Sequence, residues 1–285
     1  MKRVLITGEN SYVGKSLFEF LKLTPEKYSV DFVSLRDNKW KAKVFSKYDV
    51  IIHLAAIVHQ NEKDRSYEEY ININCDLTKE LAEKSKKDGV EQFIFFSTMN
   101  VFGVSKGNID KNTPLKPKSY YGKSKLKAEK ELLKLQNNKF KIVIIRPPMI
   151  YGENCVGNFD NLLKLSKITP FFPHFINYRS MIYIDNLILF TKKIIDNQEE
   201  GIFHPQNNEY VTTTFLVGKI SKYTGKRIIF IKGFSQIISF LNKYFNLSQK
   251  IFGNLTYDFE LSRYHEQYCI KSFEQSIEKT IKNMR

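Results

Sequence analysis

Val4-Leu5-Ile6-Thr7-Gly8-Glu9-Asn10-Ser11-Tyr12-Val13-Gly14 opens the chain, and its reading decides the fold. The apolar run Val4-Leu5-Ile6 predicts a short strand, and the amphipathic stretch from Val13 to Leu23 predicts a helix. Gly8 stands where the chain must turn sharply between them. Gly14, six residues later, lets the start of the helix lie close against the sheet. A helix that begins there presents free N–H groups and the positive end of its dipole, an arrangement that receives a pyrophosphate. A pair of glycines is weak on its own. Its position, after the first apolar strand and before an amphipathic helix, gives it weight.

The pattern repeats outward from this turn. Tyr28 to Leu35 and Asp49 to Ala56 read as strands, and Tyr67 to Lys87 as one helix. Gln92 to Phe96 reads as a strand, Ser119 to Leu135 as a helix, and Lys141 to Arg146 as a strand stopped by Pro147-Pro148. Continuous apolar strands separated by helices imply a parallel sheet covered on both faces. The fold class is therefore α/β, a Rossmann-like doubly wound parallel sheet with a small α/β C-terminal substrate lobe. The dinucleotide domain is expected over residues 1–155 and the lobe over 156–285, with a return to the first domain near 180–200. In the second half, Asn158 to Leu165 and Asp185 to Asp196 read as helices. Glu209 to Gly225 reads as a loop entering a helix, Arg227 to Ile231 as a strand, and Gln236 to Phe245 as an amphipathic helix.

Composition narrows the function. The 285 residues are 42% hydrophobic and 26% charged, ordinary for a chain that buries a core. No apolar run reaches the roughly 18 residues needed to span a bilayer. The start Met1-Lys2-Arg3 leads into a glycine turn rather than a cleavage site, so a cytoplasmic protein is expected. Cys75, Cys155 and Cys269 are too few and too scattered for a disulfide framework or a zinc site, and no metal is expected. The net charge of +15 is spread along the chain without a nucleic-acid motif. Such a balance fits nucleic acid, an anionic membrane surface or a phosphorylated substrate; it is compatible with a diphosphate ligand, and without a motif no nucleic-acid partner is expected.

The second decisive stretch is Tyr121-Gly122-Lys123-Ser124-Lys125. Four apart on a helix, Tyr121 and Lys125 stand on one face. A free phenol has a pKa of about 10, and a neighbouring ammonium favours the phenolate. Such a tyrosine exchanges a proton with the oxygen of a carbinol–carbonyl pair while a nicotinamide takes or gives hydride. The pair alone is common on helix surfaces. Ser97-Thr98, at the end of the strand before it, changes its meaning. A hydroxyl at the C-terminal edge of a sheet strand sits where such folds bind ligands, and Thr98 can bond the same substrate oxygen. After the second strand comes Val33-Ser34-Leu35-Arg36-Asp37, where the adenosine ribose is read. Ser34 and Arg36 favour the 2′-phosphate of NADP, while Asp37 leaves NAD open.

A resemblance now emerges. Thr7-Gly8…Gly14, His53-Leu54-Ala55-Ala56, Asn74, Ser97-Thr98…Val101-Phe102-Gly103, Tyr121-Gly122-x-Ser124-Lys125…Glu129 and Arg146-Pro147-Pro148…Tyr151-Gly152 occur in order. Together they resemble the extended short-chain dehydrogenase/reductase superfamily, and within it the NAD-dependent epimerase/dehydratase family, over roughly residues 1–190. The resemblance implies a catalytic group of Thr98, Tyr121 and Lys125. It implies NAD or NADP held by Gly8, Asn10, Ser11, Tyr12, Val13, Gly14, Arg36, Leu54, Ala55, Ala56, Asn74, Tyr121, Lys125 and Pro148. It also implies a nucleotide-diphosphate sugar, expected to be UDP-linked, touched by Thr98, Asn100 and Arg179. Arg179 begins Arg179-Ser180-Met181-Ile182-Tyr183-Ile184-Asp185-Asn186-Leu187, which is similar to the family segment whose arginine meets the diphosphate. Its guanidinium is a planar donor fork suited to phosphate oxygens. Homodimers are common in the family, with the helix of Tyr121 in the contact.

Two departures stand out. Ser11 replaces the family's middle glycine, where a side chain either crowds the pyrophosphate or donates a hydroxyl to it. Phe102 stands where tyrosine is usual. The family's 4,6-dehydratases carry Asp-Glu directly after the catalytic threonine; here Met99-Asn100 follow, and neither titrates, so dehydration is not expected. Two reactions remain. Reduction of a 4-keto sugar is favoured by the modest length, the small lobe and Arg36. NAD-dependent 4-epimerisation is the commoner family activity. The overall pattern, with Leu255-Thr256-Tyr257-Asp258, resembles proteins of bacterial capsule and O-antigen synthesis. A catalytically silent NAD(P)-binding regulator or scaffold is the remaining class, and it would not need Thr98, Tyr121 and Lys125 intact.

Overall fold

Residues 1–58, 65–233 and 253–282 are described by a computed structural model. The chain gives β1 (Lys2–Thr7), α1 (Tyr12–Lys22), β2 (Tyr28–Val33), α2 (Lys39–Ala42), β3 (Val50–His53), α3 (Tyr67–Ile71), α4 (Leu77–Lys87) and β4 (Gln92–Phe96). Next come β5 (Gly107–Ile109), α5 (Tyr120–Leu133), β6 (Lys141–Ile145), β7 (Met149–Tyr151), α6 (Asn158–Ile168), β8 (Phe171–Pro173) and β9 (Met181–Tyr183). Then follow α7 (Ile184–Asp196), β10 (Gly201–Phe203), α8 (Thr213–Thr224), β11 (Ile229–Ile231), β12 (Leu255–Tyr257) and α9 (Phe273–Lys282). The helix expected over Gln236 to Phe245 lies outside the described residues.

These elements form two units. The first is Met1–Gly103, Pro114–Pro147 and Ile188–His204; the second is Val104–Thr113, Pro148–Leu187 and Pro205–Arg285. The expected boundary at 155 and return near 180–200 thus stand beside observed boundaries at Pro147/Pro148 and at Ile188–His204, with Val104–Thr113 as a further piece of the second unit.

The first unit holds the expected doubly wound sheet, six parallel strands in the order β2-β1-β3-β4-β6-β10. The chain steps outward from β1 to β2, then returns to the other side of β1 with β3. That reversal opens a crevice at the carboxyl ends of β1 and β3, where folds of this kind bind ligands. Both faces of the sheet are covered, which is why its strands are apolar throughout. Leu5, Ile51, Phe93, Phe95, Ile142 and Ile144 form one core with Trp40, Leu81 and Leu132. Val4, Ile6, Ile52, Ile94 and Val143, their neighbours in sequence, are equally buried. Each such side chain contributes about 1.5–3 kcal/mol.

Two elements end differently from the sequence reading, for local reasons. The strand expected over Asp49 to Ala56 stops at His53, because the Leu54 and Ala55 N–H groups turn to Thr7 Oγ1, at 3.2 and 3.3 Å. The single helix expected over Tyr67 to Lys87 is broken by a π-helical turn at Asn72–Asp76. There the Asn74 side chain leaves the helix surface to hold the backbone of Ile57. Single π turns of this kind gather at functional sites.

The second unit carries three pairs of parallel strands, β5 with β12, β7 with β9, and β8 with β11. Its core gathers around Tyr151, whose hydroxyl meets Ser276 Oγ at 2.6 Å and accepts from Asn207 Nδ2 at 2.9 Å. The Phe159, Tyr183 and Phe273 rings surround it. The three cysteines are buried free thiols. Among the described residues, no helix is long and apolar enough to cross a membrane.

Candidate active site

β1 runs into a loop with no room for side chains at two points. Gly8 has φ +80°, and a Cβ on it would lie 3.0 Å from the Ala55 nitrogen. At Gly14 a Cβ would lie 2.6 Å from Ser11 Oγ and 2.9 Å from Gly8 O. Ser11 caps α1, its Oγ accepting the Gly14 N–H at 3.0 Å. The departure from the family's middle glycine thus has a structural use. A loop closed by two glycines beneath a helix start fits a dinucleotide pyrophosphate. Asn10, Tyr12 and Val13 lie in this loop and first turn.

Thr7 pairs with Val33 in register, which sets the turn after β2 beside the glycine loop. Arg36 is exposed there. Asp37 is occupied at the start of α2, where Oδ1 accepts the Lys39 N–H at 3.1 Å.

Beneath the loop lies a line of buried hydrogen bonds. His53 ends β3 and is wholly buried; burial lowers its pKa to about 3, with the Lys125 charge acting the same way. Its ring is therefore neutral. The Thr78 hydroxyl donates to Asn74 O at 2.9 Å, so it accepts from His53 Nε2 at 2.8 Å. Nδ1 then accepts from the Thr7 hydroxyl at 2.8 Å. Asn74 accepts the Ile57 N–H at 2.8 Å, donates to Ile57 O at 3.2 Å and donates to Ser124 Oγ at 3.1 Å. The Ser124 hydroxyl in turn donates to Tyr121 O at 2.9 Å. The line joins the glycine loop, the segment Leu54, Ala55 and Ala56, and the helix of Tyr121. Asn74, which the resemblance assigns to the cofactor, is wholly buried behind that segment.

His53→Phe keeps the ring but leaves the Thr7 and Thr78 hydroxyls short of a partner, at about 1–3 kcal/mol each. A depressed histidine pKa also loses stability as pH falls from about 6.5 toward 3, because the unfolded chain takes the proton first. Urea unfolding at several pH values should show the variant less stable near neutral pH and less acid-sensitive than the parent.

Two glycines bring the catalytic candidates together. Thr98 caps a short 3₁₀ turn, Met99–Phe102, with Oγ1 accepting the Asn100 N–H at 3.2 Å. Gly103 closes that turn at φ +65°, and a Cβ on it would fall 1.8 Å from Lys116 O. Ser119 caps α5, accepting the Gly122 N–H at 3.0 Å. A Cβ at Gly122 would lie 2.8 Å from Asn100 O. The first turn of α5 therefore reaches the 3₁₀ turn closely, and the Tyr121 phenol comes beside Thr98, which acts on its pKa.

The electrostatics differ from the sequence reading. Burial pushes the Tyr121 phenol up to about 12, opposed only by the Thr98 contact. The Lys125 ammonium is turned to the backbone at the end of β4. Its Nζ donates to Phe96 O at 2.9 Å and lies 4.4 Å above the Phe95 ring. Burial lowers this ammonium to about 7, while Glu129 pulls it upward.

Glu129 and its partners were visible as motif positions but had no role assigned from sequence. Glu129 accepts from the Ser97 hydroxyl, from Arg146 Nε at 3.0 Å and from Arg146 Nη2 at 2.6 Å. Arg146 Nη1 meets His204 Nε2 at 3.3 Å; His204 is neutral, its pKa lowered to about 3 by burial and then by Arg146. The signal in the sequence is the placement of Glu129 one helical turn beyond Lys125. Met99 is buried and Asn100 exposed, so no carboxylate follows Thr98.

Pro148 and Arg179 belong to the second unit. Arg179 exchanges backbone hydrogen bonds with Val211, both at 3.0 Å, and its Nη1 donates to Gly253 O at 3.1 Å. Its buried Nε has no acceptor among the described residues, and burial lowers its pKa. Among these residues no carboxylate forms an ion pair with it. A desolvated guanidinium in that state is suited to an anion.

Residues 4–185 match the NAD dependent epimerase/dehydratase family. The chain belongs to this family. An N-acetyl-alpha-D-glucosaminyl-diphospho-ditrans,octacis-undecaprenol 4-epimerase of Escherichia coli O157:H7 is 29% identical, over 79% of this chain and 73% of its own. A UDP-glucose 4-epimerase of Vibrio cholerae is also 29% identical, over 77% and 75%. Among solved structures, a dTDP-4-dehydrorhamnose reductase from Clostridium acetobutylicum ATCC 824 has a TM-score of 0.77 at 21% identity, over 99% of each chain. That likeness speaks for the fold. Dehydratases also belong to the family: a dTDP-D-glucose 4,6-dehydratase of Mus musculus is 26% identical over 54% of this chain and 46% of its own. Membership shows an NAD-dependent enzyme of the epimerase/dehydratase kind.

Proposed function

We propose that this enzyme exchanges hydride and a proton at C4 of a diphosphate-activated sugar, and that its reaction is reduction of a 4-keto sugar. The observation that carries this reading is the close approach of the first turn of α5 to the 3₁₀ turn beyond β4, which sets the Tyr121 phenol beside Thr98, with Lys125 buried one helical turn away.

A bound nicotinamide supplies the hydride. Thr98 holds the sugar oxygen, and Tyr121, protonated at neutral pH with a phenol near 12, gives that oxygen its proton. Lys125, fixed to Phe96 O, supplies a positive charge below its pKa of about 7 that steadies the phenolate left behind. Gly8, Gly14 and the start of α1 hold the pyrophosphate, and Arg179 takes an oxygen of the sugar diphosphate. Elimination of water needs an acid and a base beside Thr98. Met99 and Asn100 supply neither, which argues against dehydration.

Arg36 supports NADP as the coenzyme, being exposed beside the glycine loop while Asp37 is held by α2. Arg36→Ala should weaken NADPH by about tenfold or more, the loss of one charge-assisted hydrogen bond, and leave NADH nearly unchanged. Equal loss in fluorescence titrations with both coenzymes would remove this role. The 4-epimerase reading is supported by the Escherichia coli and Vibrio cholerae relatives. The name of the first supports a sugar joined through a diphosphate to a polyprenol as an alternative to a UDP-sugar. We place the reaction in the cytoplasm, in the synthesis of bacterial surface polysaccharide.

The test is direct. Given NADPH and a UDP-linked 4-keto sugar, the protein is expected to oxidise the coenzyme in proportion to the sugar. If it interconverts UDP-glucose and its 4-epimer without consuming coenzyme, the epimerase reading replaces the reductase.

A further inference from the structure

The β8–β11 pair of the second unit is apolar on both faces. Its register sets Phe171 opposite Ile229, Phe172 opposite Phe230 and Pro173 opposite Ile231. Side chains alternate along a strand, so Phe172 and Phe230 share one face while Phe171, Pro173, Ile229 and Ile231 share the other. The first face turns inward: Phe172 is 2% exposed, and its ring meets Phe230 edge-on at 6.4 Å. The second lies in solvent, with Phe171 53% exposed, Ile229 57% and Ile231 37%. The solvent face of a small sheet is ordinarily polar. A lone exposed apolar residue needs no explanation, but three large ones side by side mark an interaction surface.

Charge indicates what the surface meets. From Asn161 to Ile184 the chain carries three basic residues and no acid, and from Tyr210 to Gly233 five and no acid. Part of that charge is balanced: Lys164 pairs with Asp160 at 2.7 Å, and Lys219 and Lys222 approach Glu274. Arg227 and Lys232, which flank β11, are exposed and form no ion pair among the described residues.

We propose that this face docks the enzyme on an anionic lipid bilayer. Phe171, Ile229 and Ile231 enter the headgroup layer, and Arg227 and Lys232 meet lipid phosphates. A second copy of the chain fits less well, because a symmetric contact would set this cationic rim against itself. The inference is independent of the reaction at Tyr121.

The test uses the full chain and vesicles of phosphatidylglycerol mixed equally with phosphatidylcholine, against phosphatidylcholine alone, in a flotation assay at low salt. The expected result is binding to the anionic vesicles only, released by added salt. The Arg227→Glu/Lys232→Glu variant should bind at least about 30-fold more weakly, two cations having been removed from the lipid surface and two carboxylates put in their place. The Phe171→Ser/Ile229→Ser variant should also lose binding. All four side chains are exposed, so both variants should keep the parent's circular dichroism and turnover with soluble substrates. Three outcomes would overturn the proposal. The parent fails to bind anionic vesicles, or binds neutral ones equally; both variants bind like the parent; or sedimentation shows a dimer that Phe171→Ser/Ile229→Ser disperses.

Discussion

Tyr121→Phe is expected to lower turnover by about 100- to 10,000-fold, the range of a lost general acid, with coenzyme affinity nearly unchanged. The substitution removes one oxygen. The ring stays, Ser119 still caps α5 through Gly122, and Ser124 still donates to the carbonyl of residue 121, because both bonds use backbone atoms of that turn. Thr98 keeps its bond to the Asn100 N–H and loses only a neighbouring hydroxyl. The effect should therefore fall on kcat rather than on folding or on KM for the coenzyme. Single-turnover rates and coenzyme titrations on one preparation separate these. Normal turnover in this variant would remove Tyr121 from the chemistry.

Glu129→Ala should cost about 3–5 kcal/mol of stability, the penalty for breaking a buried ion pair by removing one partner. Glu129 is 1% exposed and Arg146 5%, so water cannot replace the carboxylate, and the Ser97 hydroxyl loses its acceptor as well. Urea denaturation measures the loss. The double variant Glu129→Ala/Arg146→Met should recover part of it, since the stranded charge is gone. A second readout separates stability from function. Glu129 raises the Lys125 pKa against burial, so removing it lets the ammonium discharge at lower pH. In both variants the fall in reductive turnover with rising pH should begin below the parent's, which is expected near 7. A profile that does not move would leave Glu129 a purely structural group.

Much of the first unit was legible in the sequence, because burial on both faces of a parallel sheet writes itself as apolar runs such as Val50-Ile51-Ile52. The glycine loop was legible for a related reason: Gly8 and Gly14 stand where the structure leaves no space for a Cβ. The spacing of Thr98, Tyr121 and Lys125 pointed to residues that α5 and the start of the 3₁₀ turn carry. Spacing did not reveal direction. Four residues on a helix put Lys125 near Tyr121, but only the folded chain shows Nζ turned to Phe96 O, and with it a phenol pushed up rather than down. His53 looked like the end of an apolar strand, since nothing in the sequence shows Thr7 and Thr78 meeting its two nitrogens. The strands of the second unit are three residues long, too short for any alternation to register.

The fate of the hydrogen on C4 tests the central claim most directly. The substrate is a nucleotide sugar carrying deuterium at C4 and a hydroxyl on the same carbon, offered with oxidised coenzyme. The expected result is turnover slower than with the unlabelled sugar, and deuterium recovered on the nicotinamide, or still at C4 of the epimer if the reaction is epimerisation. Deuterium recovered at C6 of a product lighter by one water would contradict it, and would make the enzyme a dehydratase despite Met99 and Asn100.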